Sequence, residues 1–124
     1  MATEEDVRRI ALSLPETFEK ASYGTPGFRV KDKRKDRLFA RLREEPGVLV
    51  VWCEDEGEKQ AMIVSEPAVF FTTPHYDGYP MVLVRLEAVD ADELAELLTE
   101  SWRLRAPTSL VEAFDAGSGS TETA

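Results

Sequence analysis

The spacing of apolar and polar positions divides the chain into segments of two periods. Near the N-terminus Val7, Ile10, Ala11 and Leu14 recur every three or four residues, the spacing of one helical face. Thr3 and Asp6 stand before them as a capping box with Asp in place of the usual Glu, and Pro15 ends the ladder. Two short runs of period two follow. In the first, Phe28 and Val30 alternate with Arg29 and Lys31. In the second, Leu38, Ala40 and Leu42 alternate with Arg37, Phe39, Arg41 and Arg43. Period two sets one class of side chain on each face of a half-buried strand, so the pair reads as a β-hairpin with the tip Asp32-Lys33-Arg34-Lys35-Asp36.

Beyond the turn Glu44-Glu45-Pro46-Gly47, the unbroken run Val48–Trp52 predicts a central strand covered on both faces. Glu54, Asp55 and Glu56 suit the positive end of a helix dipole, and Ala61, Met62 and Val64 predict its apolar face before Pro67 closes it. A strand at 68–72 and another at 81–86 flank Asp77-Gly78, which predicts a second hairpin whose tip carries His75, Tyr76 and Tyr79. Asp90 with Glu93 caps the longest helix, striped by Leu94, Leu97, Leu98 and Trp102, and a further turn is expected at 109–114. The expected fold is therefore α+β: an antiparallel sheet of about five strands with two protruding hairpins, packed against N- and C-terminal helices. One domain is expected over 1–114 and a disordered tail over 115–124, where Gly, Ser and Thr dominate.

Composition and charge narrow the functional classes. No apolar run approaches the roughly 20 residues of a membrane span, and the first residues lack a signal peptide's basic and apolar regions. With a single cysteine no intrachain disulfide can form, and the expected compartment is the cytoplasm. The net charge of −9 opposes general affinity for polyanions, yet the charge is segregated. Between Arg29 and Arg43 eight cations face two acids, a local +6, while the remainder carries 7 basic and 22 acidic residues, or −15. That cationic hairpin suits an acidic partner, nucleic acid or the acidic surface of a second copy of this chain; the alternative is a solvated edge whose lysines guard against aggregation.

No pattern in the chain assembles a catalytic constellation. His75, the lone histidine, has no serine or cysteine at a spacing that would make it a general base, and it reads as a loop residue packed between Tyr76 and Tyr79. Cys53 precedes three acids, whose field disfavours a thiolate. The carboxylates at 54, 55, 56 and 58 read as a solvated helix start, and Glu16 and Glu19 as loop carboxylates. No metal or cofactor is expected, and no enzymatic activity.

Segments 11–30, 36–42, 70–86 and 91–107 together resemble the MmcQ/YjbR family of small bacterial proteins. The resemblance rests on Leu14-Pro15-Glu16, on Gly24, Pro26 and Phe28, on Pro74-His75, and on Trp102-Arg103-Leu104. It implies an α+β fold whose two hairpins form a double wing, and a DNA-binding role. The surface it implies is Arg29, Lys31, Arg37 and Arg41 on the first wing, with His75 and Tyr76 on the second. Here the longer tip strengthens the cationic end, so Lys33, Arg34 and Lys35 are the expected phosphate contacts, and the loop from His75 to Tyr79 is expected to enter a groove or stack on bases. The competing expectations are a self-association or protein-interaction module, and a small-ligand domain centred on the aromatic loop.

Overall fold

A computed structural model describes residues 1–117 with their side chains. Of the tail expected at 115–124, residues from 118 onward lie outside that set. The order of elements is α1 (Glu4–Ser13), β1 (Thr17–Ser22), β2 (Thr25–Val30), β3 (Arg37–Leu42), β4 (Val48–Trp52), α2 (Glu56–Ser65), β5 (Phe70–Phe71), β6 (Met81–Arg85), α3 (Ala91–Arg105) and α4 (Thr108–Thr123). Short 3-10 turns lie at Pro74–Tyr76 and Leu86–Ala88.

Six strands form one antiparallel sheet in the order β1-β2-β3-β4-β6-β5. The strand beyond the expected five is β1, an edge strand that carries Glu19, expected above in a loop. It joins β2 through a two-residue turn in which Tyr23 and Gly24 have φ of 54° and 81°. Two successive positive φ values are the type I′ geometry that matches strand twist.

Both expected capping boxes form: Thr3 Oγ1 accepts from Asp6 N–H, and Asp90 Oδ1 accepts from Glu93 N–H. At the end of α1 the Thr17 hydroxyl shares its proton between the carbonyls of Ala11 and Leu14, helping to satisfy the terminal acceptors where Pro15 has no N–H to give. One face of the sheet packs on α1 and α3. Phe28, Val30, Phe39, Ala40, Leu42, Leu49, Val51, Val82 and Val84 meet Val7, Ala11, Leu94, Leu98 and Trp102 in a single core. A smaller cluster of Val50, Tyr76 and Leu83 covers part of the other face, so β4 is covered on both sides as its unbroken apolar run requires.

Strict alternation fails at β3. Gly27 and Phe28 pair with Arg41 and Ala40, but Arg29 and Val30 pair with Leu38 and Arg37, leaving Phe39 as an extra residue. This β-bulge puts Phe39 and Ala40 together in the core and releases Leu38 to the opposite face, where alternation would have placed Phe39. Helix α3 repairs the interrupted ladder. The Ser101 hydroxyl donates to Phe39 O and accepts from Trp52 N–H at 2.8 Å, and one turn later Arg105 Nε donates to Leu38 O at 2.9 Å.

The apolar face of α2 differs from expectation. Of the expected residues Met62 is turned inward, but Ala61 and Val64 are exposed, and Lys59 and Ile63 complete the inner face instead. Gly27, opposite Arg41, admits no side chain: a Cβ there would stand 2.9 Å from Lys20 O and 3.0 Å from Leu38 Cδ1. Since backbone rather than a flexible tip must yield, Gly27→Ala should cost about 1–3 kcal/mol, read as a lower urea midpoint at unchanged slope.

Candidate nucleic-acid interface

The connection from β2 to β3 is shaped by its two acids. Asp36 Oδ1 accepts from Asp32 N–H, and Asp32 Oδ1 accepts from Arg34 N–H. These Asx contacts tie the loop in the manner of short turn-forming side chains. Asp32 also lies 3.9 Å from Arg37. Lys31, Lys33, Arg34, Lys35 and Arg37 are all exposed, and the ion pairs found among the described residues leave the first four unpaired. The two acids hold the loop's shape and offset two of its five cations, leaving residues 31–37 at a net +3.

Other expected site residues are placed differently. Arg41 is 8% exposed and belongs to the interior: its guanidinium donates to Thr25 Oγ1 and to the Tyr76 hydroxyl, both at 2.9 Å. Tyr76 is buried as well, with the Arg43 guanidinium 5.5 Å from its ring centroid and His75 edge-on at 5.0 Å. Arg41 and Tyr76 thus lock the 74–79 loop to the sheet and offer little surface to a partner. His75 and Tyr79 are exposed on that loop, while Arg29 is half-buried, its Nε enclosed without a protein hydrogen-bond partner.

Lys59 was not among the expected site residues, yet it organises one end of this face. It is wholly buried, and its Nζ donates to the carbonyls of Tyr76 at 2.6 Å and Tyr79 at 3.1 Å. A lysine in an acidic helix reads as solvated, but its spacing of three and four residues from Met62 and Ile63 was a usable signal.

Two grooves open on the sheet face away from α1 and α3, and they share Tyr23, Leu38 and Trp52. One, of about 660 Å³, runs past Arg41, Arg43, His75 and Met81. The other, of about 790 Å³, gathers Arg29, Arg34, Lys35, Arg37 and Arg105. Arg105 lies over the Trp52 ring, 4.7 Å from its centroid. Its pKa is depressed, first by burial and then by the nearby charge of Arg37. The loop 31–36 stands at the outer end of this second groove.

Neither groove brings together a nucleophile and a base. Burial pushes the Cys53 thiol up to about 12, with Glu58 adding to the shift, which makes it a poor nucleophile. Among the described residues no group of three His, Cys, Asp or Glu side chains stands close enough to hold a metal ion, and no helix is long and apolar enough to cross a membrane.

An open six-stranded antiparallel sheet, helices on one face and a cationic hairpin beside the other, defines a small α+β protein of the kind seen in a crystal structure from Deinococcus radiodurans. That structure, of protein DR2400 with a DUF419 domain, superposes with a TM-score of 0.70 at 27% identity, over 84% of this chain and 78% of the other. This chain belongs to the YjbR family, whose model matches residues 12–104. Relatives that are 45% identical occur in Mycobacterium tuberculosis and Mycobacterium bovis, with the match covering 96% of this chain and all of theirs; both carry the description "uncharacterized protein".

Proposed function

We propose that this protein is a non-enzymatic nucleic-acid-binding protein, with DNA as its partner, that contacts phosphates through the loop between β2 and β3. One observation carries the reading: five exposed cations, Lys31, Lys33, Arg34, Lys35 and Arg37, crowd one loop whose two acids are tied to its own backbone. In a chain of net charge −9 such a concentration needs a local reason. Phosphate neutralisation by Lys and Arg releases condensed counterions and supplies affinity that falls steeply with salt. The family resemblance, which implies a double wing and a DNA-binding role, supports the same reading, with His75 and Tyr79 exposed on the loop between β5 and β6.

Fluorescence anisotropy with labelled DNA at low and near-physiological salt tests it. Binding should weaken with salt, and Lys33→Ala/Arg34→Ala/Lys35→Ala should reduce affinity at least tenfold and flatten the salt slope by about one unit per cation removed. Absence of binding at low salt, or a triple variant that binds like the parent, rejects the reading.

A second reading has its own support. Glu54, Glu58, Glu66, Glu93, Glu96 and Glu100 line a groove of about 340 Å³ between α2 and α3. The cationic loop of a second copy would meet it head to tail, an association without closed symmetry. Light scattering would then show mass rising with concentration and falling with salt, without nucleic acid.

A further inference from the structure

The phosphate-binding reading rests on the loop 31–37 and leaves without a role Arg29 and Arg105, which line one groove together with Arg34, Lys35 and Arg37. Four arginines, Arg29, Arg34, Arg37 and Arg105, line that groove with Lys35 and with Asp32 and Asp36, whose carboxylates accept from loop backbone. Arg105 is held in place by Leu38 O and by the Trp52 ring, so it cannot swing out to solvent to escape Arg37. Arg29 is fixed between its strand neighbours with Nε enclosed and unbonded. A bound anion would offset the Arg37 charge that Arg105 faces, and the planar forks of these guanidinium groups suit phosphate oxygens.

Aromatic groups bracket the same groove. Tyr23 projects from the β1–β2 turn, 86% exposed, with Arg41 beneath it at 5.5 Å from the ring centroid. An aromatic ring this exposed, on a turn where its own φ of 54° is a backbone cost, has no role in the core. Trp52 and the Arg105 guanidinium already form a stacked pair across the groove.

We propose that the open sheet face binds one strand of single-stranded nucleic acid, with its phosphates at Arg29, Arg37 and Arg105 and its bases stacked on Tyr23 and on the Arg105–Trp52 pair. The proposal rests on the phosphate-binding reading and extends it from the loop to the sheet. Alternation of cations and rings is the arrangement that follows a flexible strand, since every unpaired base has a face to stack and a duplex hides those faces. The strand enters at Arg34 and Lys35, which belong to both the loop and the groove.

The test compares a single-stranded oligothymidine, a duplex of equal length and free thymidine monophosphate, by anisotropy and by tryptophan fluorescence. The two tryptophans separate cleanly: Trp52 lines the groove and Trp102 is wholly buried. The expected result is a preference of at least tenfold for the single strand over the duplex at equal salt, with quenching that disappears in Trp52→Phe. Tyr23→Ala should weaken single-strand binding about fivefold or more, as loss of one stacked base does, and Tyr23→Phe should restore it. Duplex affinity should be unchanged in Tyr23→Ala. Equal affinity for single strand and duplex, with no effect of Tyr23→Ala, overturns this inference while the loop reading stands. Quenching by the mononucleotide as strong as by the strand also overturns it. Failure of both DNA forms to bind at low salt overturns the loop reading together with it.

Discussion

Trp102→Ala is expected to remove about 3–5 kcal/mol of stability, a large part of the 5–15 kcal/mol that a domain of this size holds in total. The indole is wholly buried in the core between α3 and the sheet, and its ring meets Phe114 of α4 edge-on at 5.0 Å. Its Nε1 also donates to Pro15 O at 3.1 Å, pinning the exit of α1. Truncation therefore opens a cavity, orphans a carbonyl and frees α4 from one of its anchors. Urea unfolding followed by circular dichroism would show the drop in midpoint, and a loss under about 1 kcal/mol would mean that the surrounding side chains collapse into the space. Trp102→Phe, which keeps most of the volume, should recover more than half of the loss.

The second large effect is expected at Lys59. Replacement by Met conserves the stem and removes only the Nζ that caps the carbonyls of Tyr76 and Tyr79. Each carbonyl keeps a backbone donor, Tyr79 N–H on Tyr76 O and Met81 N–H on Tyr79 O, so what Lys59→Met removes is the pair of charge-assisted hydrogen bonds, and it should lose about 2–3 kcal/mol. The local consequence is as informative as the global one. Amide exchange over 76–81 should accelerate, because Tyr79 N–H and Met81 N–H bond within that loop, while the amides of β2 and β3 remain protected. An unchanged midpoint with unchanged exchange would show that the loop is held by Arg41 and Tyr76 alone.

Both sites illustrate what the sequence makes visible. The helices were legible because their signals are local: Thr3 with Asp6, Asp90 with Glu93, and apolar residues three and four apart. The hairpin of β2 and β3 and the central position of β4 were equally plain from alternation and its absence. Edge strand β1 was missed because Glu19, Lys20 and Ala21, on alternating faces, are all exposed and leave no apolar alternation to display, and its identity comes from pairing with β2. The bulge at Phe39 is invisible to any pattern of period two, since one extra residue is defined only against a partner strand. Of the cationic surface, the exposed tip was legible as charge. The burial of Arg41 was not, because it depends on Tyr76, 35 residues away in the chain.

The bulge also separates two lengths that a regular hairpin would keep coupled. In a strict ladder, adding a residue to the β2–β3 connection risks a slip of register that turns core side chains outward. Here Phe39 is seated in the core and its carbonyl is claimed by Ser101, so β3 is indexed to helix α3 rather than to its own turn. The tip can then lengthen, shorten or change its charge without moving Ala40, Arg41 or Leu42. For an evolving protein that is a variable module mounted on an invariant frame, free to be retuned for a different partner while the fold beneath it keeps its place.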